Sequence, residues 1–128
     1  MKKTVSLLLV VAVLSTVVAM CFAGCNLFKS ITLDEAKANL EGAGYEVTVM
    51  TGEEFVNSDN ETYTITAAEL EHYLYAVKGD DVIRMYFFVS VDAASDNYDF
   101  MSDSKLLGGQ SNSVVYFATK QARKDAQV

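Results

Sequence analysis

Groups that make and break covalent bonds are scarce in this 128-residue sequence, which holds one histidine, His72, two cysteines, Cys21 and Cys25, and no Gly-x-Ser-x-Gly segment. Nucleophilic catalysis is therefore poorly supplied, and His72, beside Glu71, reads as a surface histidine. A phosphate loop is missing as well, because Gly108-Gly109-Gln110 lacks the lysine and the following helix that such a loop needs. Positive charge is also short: 10 Lys plus Arg stand against 17 Asp plus Glu, a net −7. Nucleic-acid binding requires a basic surface to meet phosphate, so that class is excluded, and the same balance keeps the chain off anionic headgroups. The length fits one small domain and leaves no room for a second domain or a large cofactor fold. The reading is non-enzymatic, with no cofactor.

What the sequence does have is concentrated at its front. Lys2 and Lys3 precede an uncharged run from Thr4 to Phe28 whose apolar heart is Val5 to Met20. This is the layout of a secretory signal, with a positive region, an apolar region and a small-residue cleavage site. The run ends in Phe22-Ala23-Gly24-Cys25, which resembles a bacterial lipobox, with Phe22 where Leu is more common. Residues 1–24 are thus expected to be a lipoprotein signal peptide, Cys25 the lipidated residue, and 25–30 the cysteine and its tether. The alternatives are a soluble product cut near Ala23 or an uncleaved helix, since the run approaches the roughly 20 residues needed to span a bilayer. All three place the remainder outside the cytoplasmic membrane. Removing 1–24, with its two lysines, leaves 104 residues and takes the charge from −7 to −9. With Cys21 removed and Cys25 acylated, no thiol remains for a disulfide, a metal site or a nucleophile.

Residues 31–128 read as a single α+β domain. Thr32-Leu33-Asp34-Glu35 is a capping box, opening a helix to about Glu41 that Gly42-Ala43-Gly44 stops. Tyr45 to Met50 alternates as a half-buried strand, and the acidic stretch Thr51 to Thr64 reads as a short helical turn and a loop. A second capping box, Thr66-Ala67-Ala68-Glu69, predicts a brief helix running into a strand at Tyr73 to Val77. Lys78 to Asp81 is a tight turn, and Val82 to Val89 returns as the second arm of a hairpin. Ser90 or Asp92 caps a helix to about Ser104, Leu106 to Ser113 is a loop, Val114 to Ala118 is a strand, and Thr119 starts a last helix. From Tyr45 the order is strand, helix, strand, strand, helix, strand. That order predicts a ferredoxin-like (βαββαβ) sandwich: a four-stranded antiparallel sheet with helices on one face, plus flanking N- and C-terminal helices.

Two constellations stand out. Asp92, Asp96, Asp99 and Asp103 recur at spacings that put them on one stripe of a continuous helix, where their mutual repulsion would favour a divalent cation or a basic partner. A straight helix cannot wrap Ca²⁺ with six to eight oxygens, so a solvated face is the alternative. In the strands, alternation sends Tyr73, Tyr75, Val77, Arg84, Tyr86, Phe88, Val114 and Tyr116 to the face opposite Leu74, Ala76, Met85 and Phe87. Such a face is too apolar to leave in water. Three outcomes are open: a terminal helix covers it, two copies of the chain pair through it, or it takes a ligand or protein partner.

The chain resembles the small, uncharacterised lipoproteins of Gram-positive bacteria. The resemblance rests on the lipobox and on the segments Leu33-Asp34-Glu35-Ala36 through Gly44-Tyr45-Glu46-Val47 and Val115 through Ala122. It implies a lipid anchor at Cys25 and a shared fold, and it carries over no catalytic residue. The expected function is a lipid-anchored cell-surface domain that self-associates or binds a protein partner through Tyr73, Tyr75, Arg84, Tyr86, Phe88 and Tyr116. The alternative is an accessory lipoprotein that binds a small molecule or a cation at Asp92, Asp96, Asp99 and Asp103.

Overall fold

Thr32 begins the folded chain as a helix cap: its Oγ1 accepts a hydrogen bond from the Glu35 amide at 3.2 Å, which satisfies one free donor of the first helical turn. This computed structural model describes residues 31–58, 64–103 and 105–128. The expected signal peptide, Cys25, the expected tether to Ser30 and part of the acidic loop lie outside the described residues. Helix α1 (Leu33–Gly42) buries Ala36 and Leu40, one turn apart, and ends where Gly44 takes a φ of +94°. Strand β1 (Glu46–Thr51) passes directly into helix α2 (Gly52–Ser58). That junction requires glycine, because a Cβ on Gly52 would sit 1.7 Å from the Leu70 carbonyl oxygen. Strands β2 (Leu70–Lys78) and β3 (Asp81–Phe88) form the expected hairpin around Gly79, at φ +60°. Helix α3 (Val91–Tyr98) is capped by Ser90, whose Oγ accepts from the Ala93 amide at 3.1 Å. Strands β4 (Leu107–Ser111) and β5 (Val114–Ala118) and helix α4 (Lys120–Ala126) complete the order. Among the described residues no helix is long and apolar enough to cross a membrane.

The molecule is α+β, with one antiparallel sheet of five strands in the order β1-β2-β3-β5-β4. This corrects the expected four-stranded ferredoxin-like sandwich at three points. First, β1 and β2 are direct antiparallel neighbours, from Glu46↔Val77 to Thr51↔His72, so no strand is inserted between them and no split βαβ unit exists. The seven-residue α2 spans only about 10 Å at 1.5 Å per residue, too little to carry the chain over to a parallel partner. Second, the stretch with Gly108-Gly109 is a strand and not a loop. Its glycines sit opposite Phe117 and Tyr116, whose rings occupy the space a Cβ would need: Gly108 Cβ would lie 2.8 Å from the Phe117 ring and Gly109 Cβ 2.4 Å from the Tyr116 hydroxyl. Third, helices cover both faces. α1 and α4 pack over Leu74, Ala76, Ile83, Met85 and Phe87, while α2 and α3 pack over Tyr73, Tyr86, Phe88, Val115 and Phe117. The second capping box also fails to open a helix; Thr66 to Glu69 is a turn closed by Glu69 and Leu70 amides on the Thr66 carbonyl, and β2 starts at Leu70.

α1 and α4 are also tied to each other. The Asn39 amide donates to the Ala126 carbonyl at 3.1 Å, and the Tyr45 hydroxyl, just beyond α1, donates to Asp125 at 2.8 Å. Burial first, and then this bond to a carboxylate, push the Tyr45 pKa upward. The same bond, with a second from Gln121, holds the half-buried Asp125 below its usual value.

Candidate functional site

Register sets which side chains meet. Thr48, Tyr75 and Arg84 stand abreast across β1, β2 and β3, and Met50, Tyr73 and Tyr86 form the next row on the same face. The second row is closed over. From α2, Phe55 lies 4.5 Å from the Tyr73 ring and meets Tyr86 edge-on at 5.5 Å, and Tyr86 in turn meets Phe117 edge-on at 6.4 Å. From α3, Tyr98 stacks on Phe117 at 6.1 Å. Tyr86 and Phe88 retain 1% and 2% exposure and Tyr73 8%, so three of the residues expected to form an open binding face belong to a core. A fourth, Tyr116, is on the other face altogether. It pairs with Met85, is buried in the α1/α4 core, and carries the Arg123 guanidinium 5.4 Å above its ring. The alternation of β5 is therefore the reverse of the expected one, with Val115 and Phe117 facing the aromatic side. A broad aromatic interface is not available in the folded chain, and the cover comes from α2 and α3 rather than from a terminal helix.

Tyr75 and Arg84 remain. Both are half-buried, and with Thr48, Met50, Phe55, Ser58 and Tyr73 they line an open cavity of about 250 Å³ beside α2. The guanidinium lies 5.5 Å from the Tyr75 ring centroid. Its Nε is buried and has no hydrogen-bond partner. Burial alone would pull the Arg84 pKa down, but Tyr73, Tyr86, Asp103 and Tyr75 together outweigh it and push the value up. The group is thus a fixed cation in a mostly apolar wall. Among the described lining residues there is no carboxylate, imidazole or thiol to move a proton. What the lining offers a ligand is one cation, a few hydroxyls and apolar walls.

The acidic stripe does not form. α3 stops at Tyr98, Asp99 is its C-terminal cap, and Asp103 lies beyond, accepting from the Lys105 amide at 3.1 Å. Among the described residues no three His, Cys, Asp or Glu side chains come together as a metal site. His72 lines a second cavity of about 510 Å³ with Asp34, Glu71 and Ser113, and among the described residues its imidazole makes no hydrogen bond that would prepare a base. Thr48, Met50, Phe55 and Ser58 were not legible as site residues. The one available signal was the apolar pair Phe55-Val56 in an otherwise polar, acidic segment. No protein-family model, curated protein or solved structure matches the chain.

Proposed function

We propose that this chain is a lipid-anchored, non-enzymatic binding domain, held through Cys25 on the outer face of the cytoplasmic membrane, that takes its ligand or partner at the cavity between Tyr75 and Arg84. One observation carries the binding reading: on a sheet face otherwise closed by α2 and α3, a half-buried cation with an unpaired donor lines an open, largely apolar cavity. Concave sites with apolar walls and a few convergent polar groups are where small ligands and peptide side chains are recognised. The anchor reading rests on the lipobox-like Phe22 to Cys25 and the signal that precedes it. The charge of −9 left after residue 24 makes the anchor, and not the domain surface, the contact with lipid.

Both halves are tested in intact cells. Radiolabelled palmitate should enter the chain and be absent from the Cys25→Ala variant; label that persists there overturns the anchor. A photo-crosslinking phenylalanine analogue in place of Tyr75, which keeps a ring in the cavity wall, should give ligand adducts that the same group at position 120, on α4, does not. Equal yields at the two positions overturn the assignment of the cavity as the binding site.

A further inference from the structure

We infer that the cavity beside Arg84 is a carboxylate site: it takes one singly charged carboxylate carried on a small apolar body, either a free organic acid or the C-terminus of a peptide. This rests on the reading of the cavity as the binding site and specifies its ligand.

Among the described lining residues Arg84 is the only charged group, and Met50, Phe55, Tyr73 and Tyr75 make the walls around it apolar. A guanidinium presents parallel donors that match the two oxygens of a carboxylate, and Nε is one of the donors used when the carboxylate approaches side-on. Here Nε is buried and unpartnered, a condition that costs free energy and that an incoming oxygen would relieve. Because Nε is closed to water, the second bond of the fork requires a small shift of the groups that cover it. Thr48 and Ser58 place hydroxyls in the lining.

Charge selects a carboxylate over a phosphate. One guanidinium balances one negative charge, and the chain as a whole is acidic. A dianion would enter with a charge unmatched in a low-dielectric site. Size narrows the choice again. A volume of about 250 Å³ lies below the range of pockets for drug-sized molecules, so the apolar body is about one side chain or one ring.

The test is calorimetric titration of the full chain in detergent with phenylacetate, N-acetylphenylalanine, the amide of each, and phenyl phosphate. At least one acid should bind saturably and at least about tenfold more tightly than its amide, the loss expected when a charge-assisted hydrogen bond is removed. Phenylacetate as the tighter of the two acids identifies a free acid; N-acetylphenylalanine as the tighter identifies a peptide C-terminus. Arg84→Gln should lose about the same factor. Thr48→Trp, which fills the cavity from an exposed strand position, should abolish binding with an unchanged unfolding midpoint, and so tests the site even where Arg84→Gln does not fold. Amides that bind as well as the acids, phenyl phosphate binding more tightly than both acids, or no saturable binding of any probe overturns the carboxylate assignment. Amide binding that Thr48→Trp still blocks would do so while leaving the cavity as the binding site, and the cross-linking from position 75 judges that reading independently.

Discussion

At the scale of single residues, the pair Tyr45 and Asp125 couples stability to pH from both sides. The hydrogen bond holds Asp125 below the ordinary carboxylate range, so its contribution is present above the unfolded value of about 4 and is lost as pH falls through the folded value. Tyr45 is shifted upward, by burial first and by Asp125 second, so its contribution is whole below the unfolded value of about 10 and is lost as pH rises beyond it. Tyr45→Phe keeps the buried ring and removes the bond. The stability difference between the two proteins, from urea midpoints at pH 3, 7 and 11, should be largest at pH 7 and shrink at both extremes. A difference independent of pH would mean the hydroxyl contributes nothing through Asp125. This bond was not legible beforehand, because it joins residues 80 positions apart. Tyr75 and Arg84, by contrast, were legible as neighbours on one sheet face, since a hairpin turn fixes register and register fixes sides. Whether that face stays open was not legible: it depends on Phe55, whose role appears only once α2 folds back over Tyr73 and Tyr86.

At the scale of elements, two similar sequence signals had opposite outcomes. Ser90 caps α3 through its side chain, whereas Thr66 closes a turn through its carbonyl. Ser90→Ala should therefore cost about 1 kcal/mol of unfolding free energy, and Thr66→Ala should cost a few tenths at most. Equal losses in chemical denaturation would place a side-chain cap at Thr66 after all. Local chemistry of this kind explains why α1, the start of α3, the β2–β3 hairpin and β5 could be read from the sequence. It also explains why β4 could not. Gly108-Gly109 has the composition of a loop, and only the Phe117 and Tyr116 rings lying over those positions make a strand of it. Those rings belong to β5, so the signal for β4 is not in β4.

At the scale of the whole molecule, the α+β class was legible from the alternation of caps and strands, but the layering was not. Deciding between one covered face and two requires knowing where four short helices dock, and a helix of seven residues carries too little pattern to say. Among the described residues, helices cover both sheet faces, so neither face is left bare to drive pairing through the sheet. Light scattering on residues 26–128 over a concentration series should give the mass of a monomer. A stable dimer would move the interface to an edge strand, β1 or β4.

The contact between α1 and α4 has a consequence for how the molecule opens. Its two hydrogen bonds join positions 87 and 80 residues apart, nearly the ends of the described chain. Closing so long a loop carries the largest entropy cost in the structure, so these bonds form only after the sheet has brought the two ends together. In amide exchange the two helices should then open as a single unit, because when one lifts from the sheet the other loses its partner.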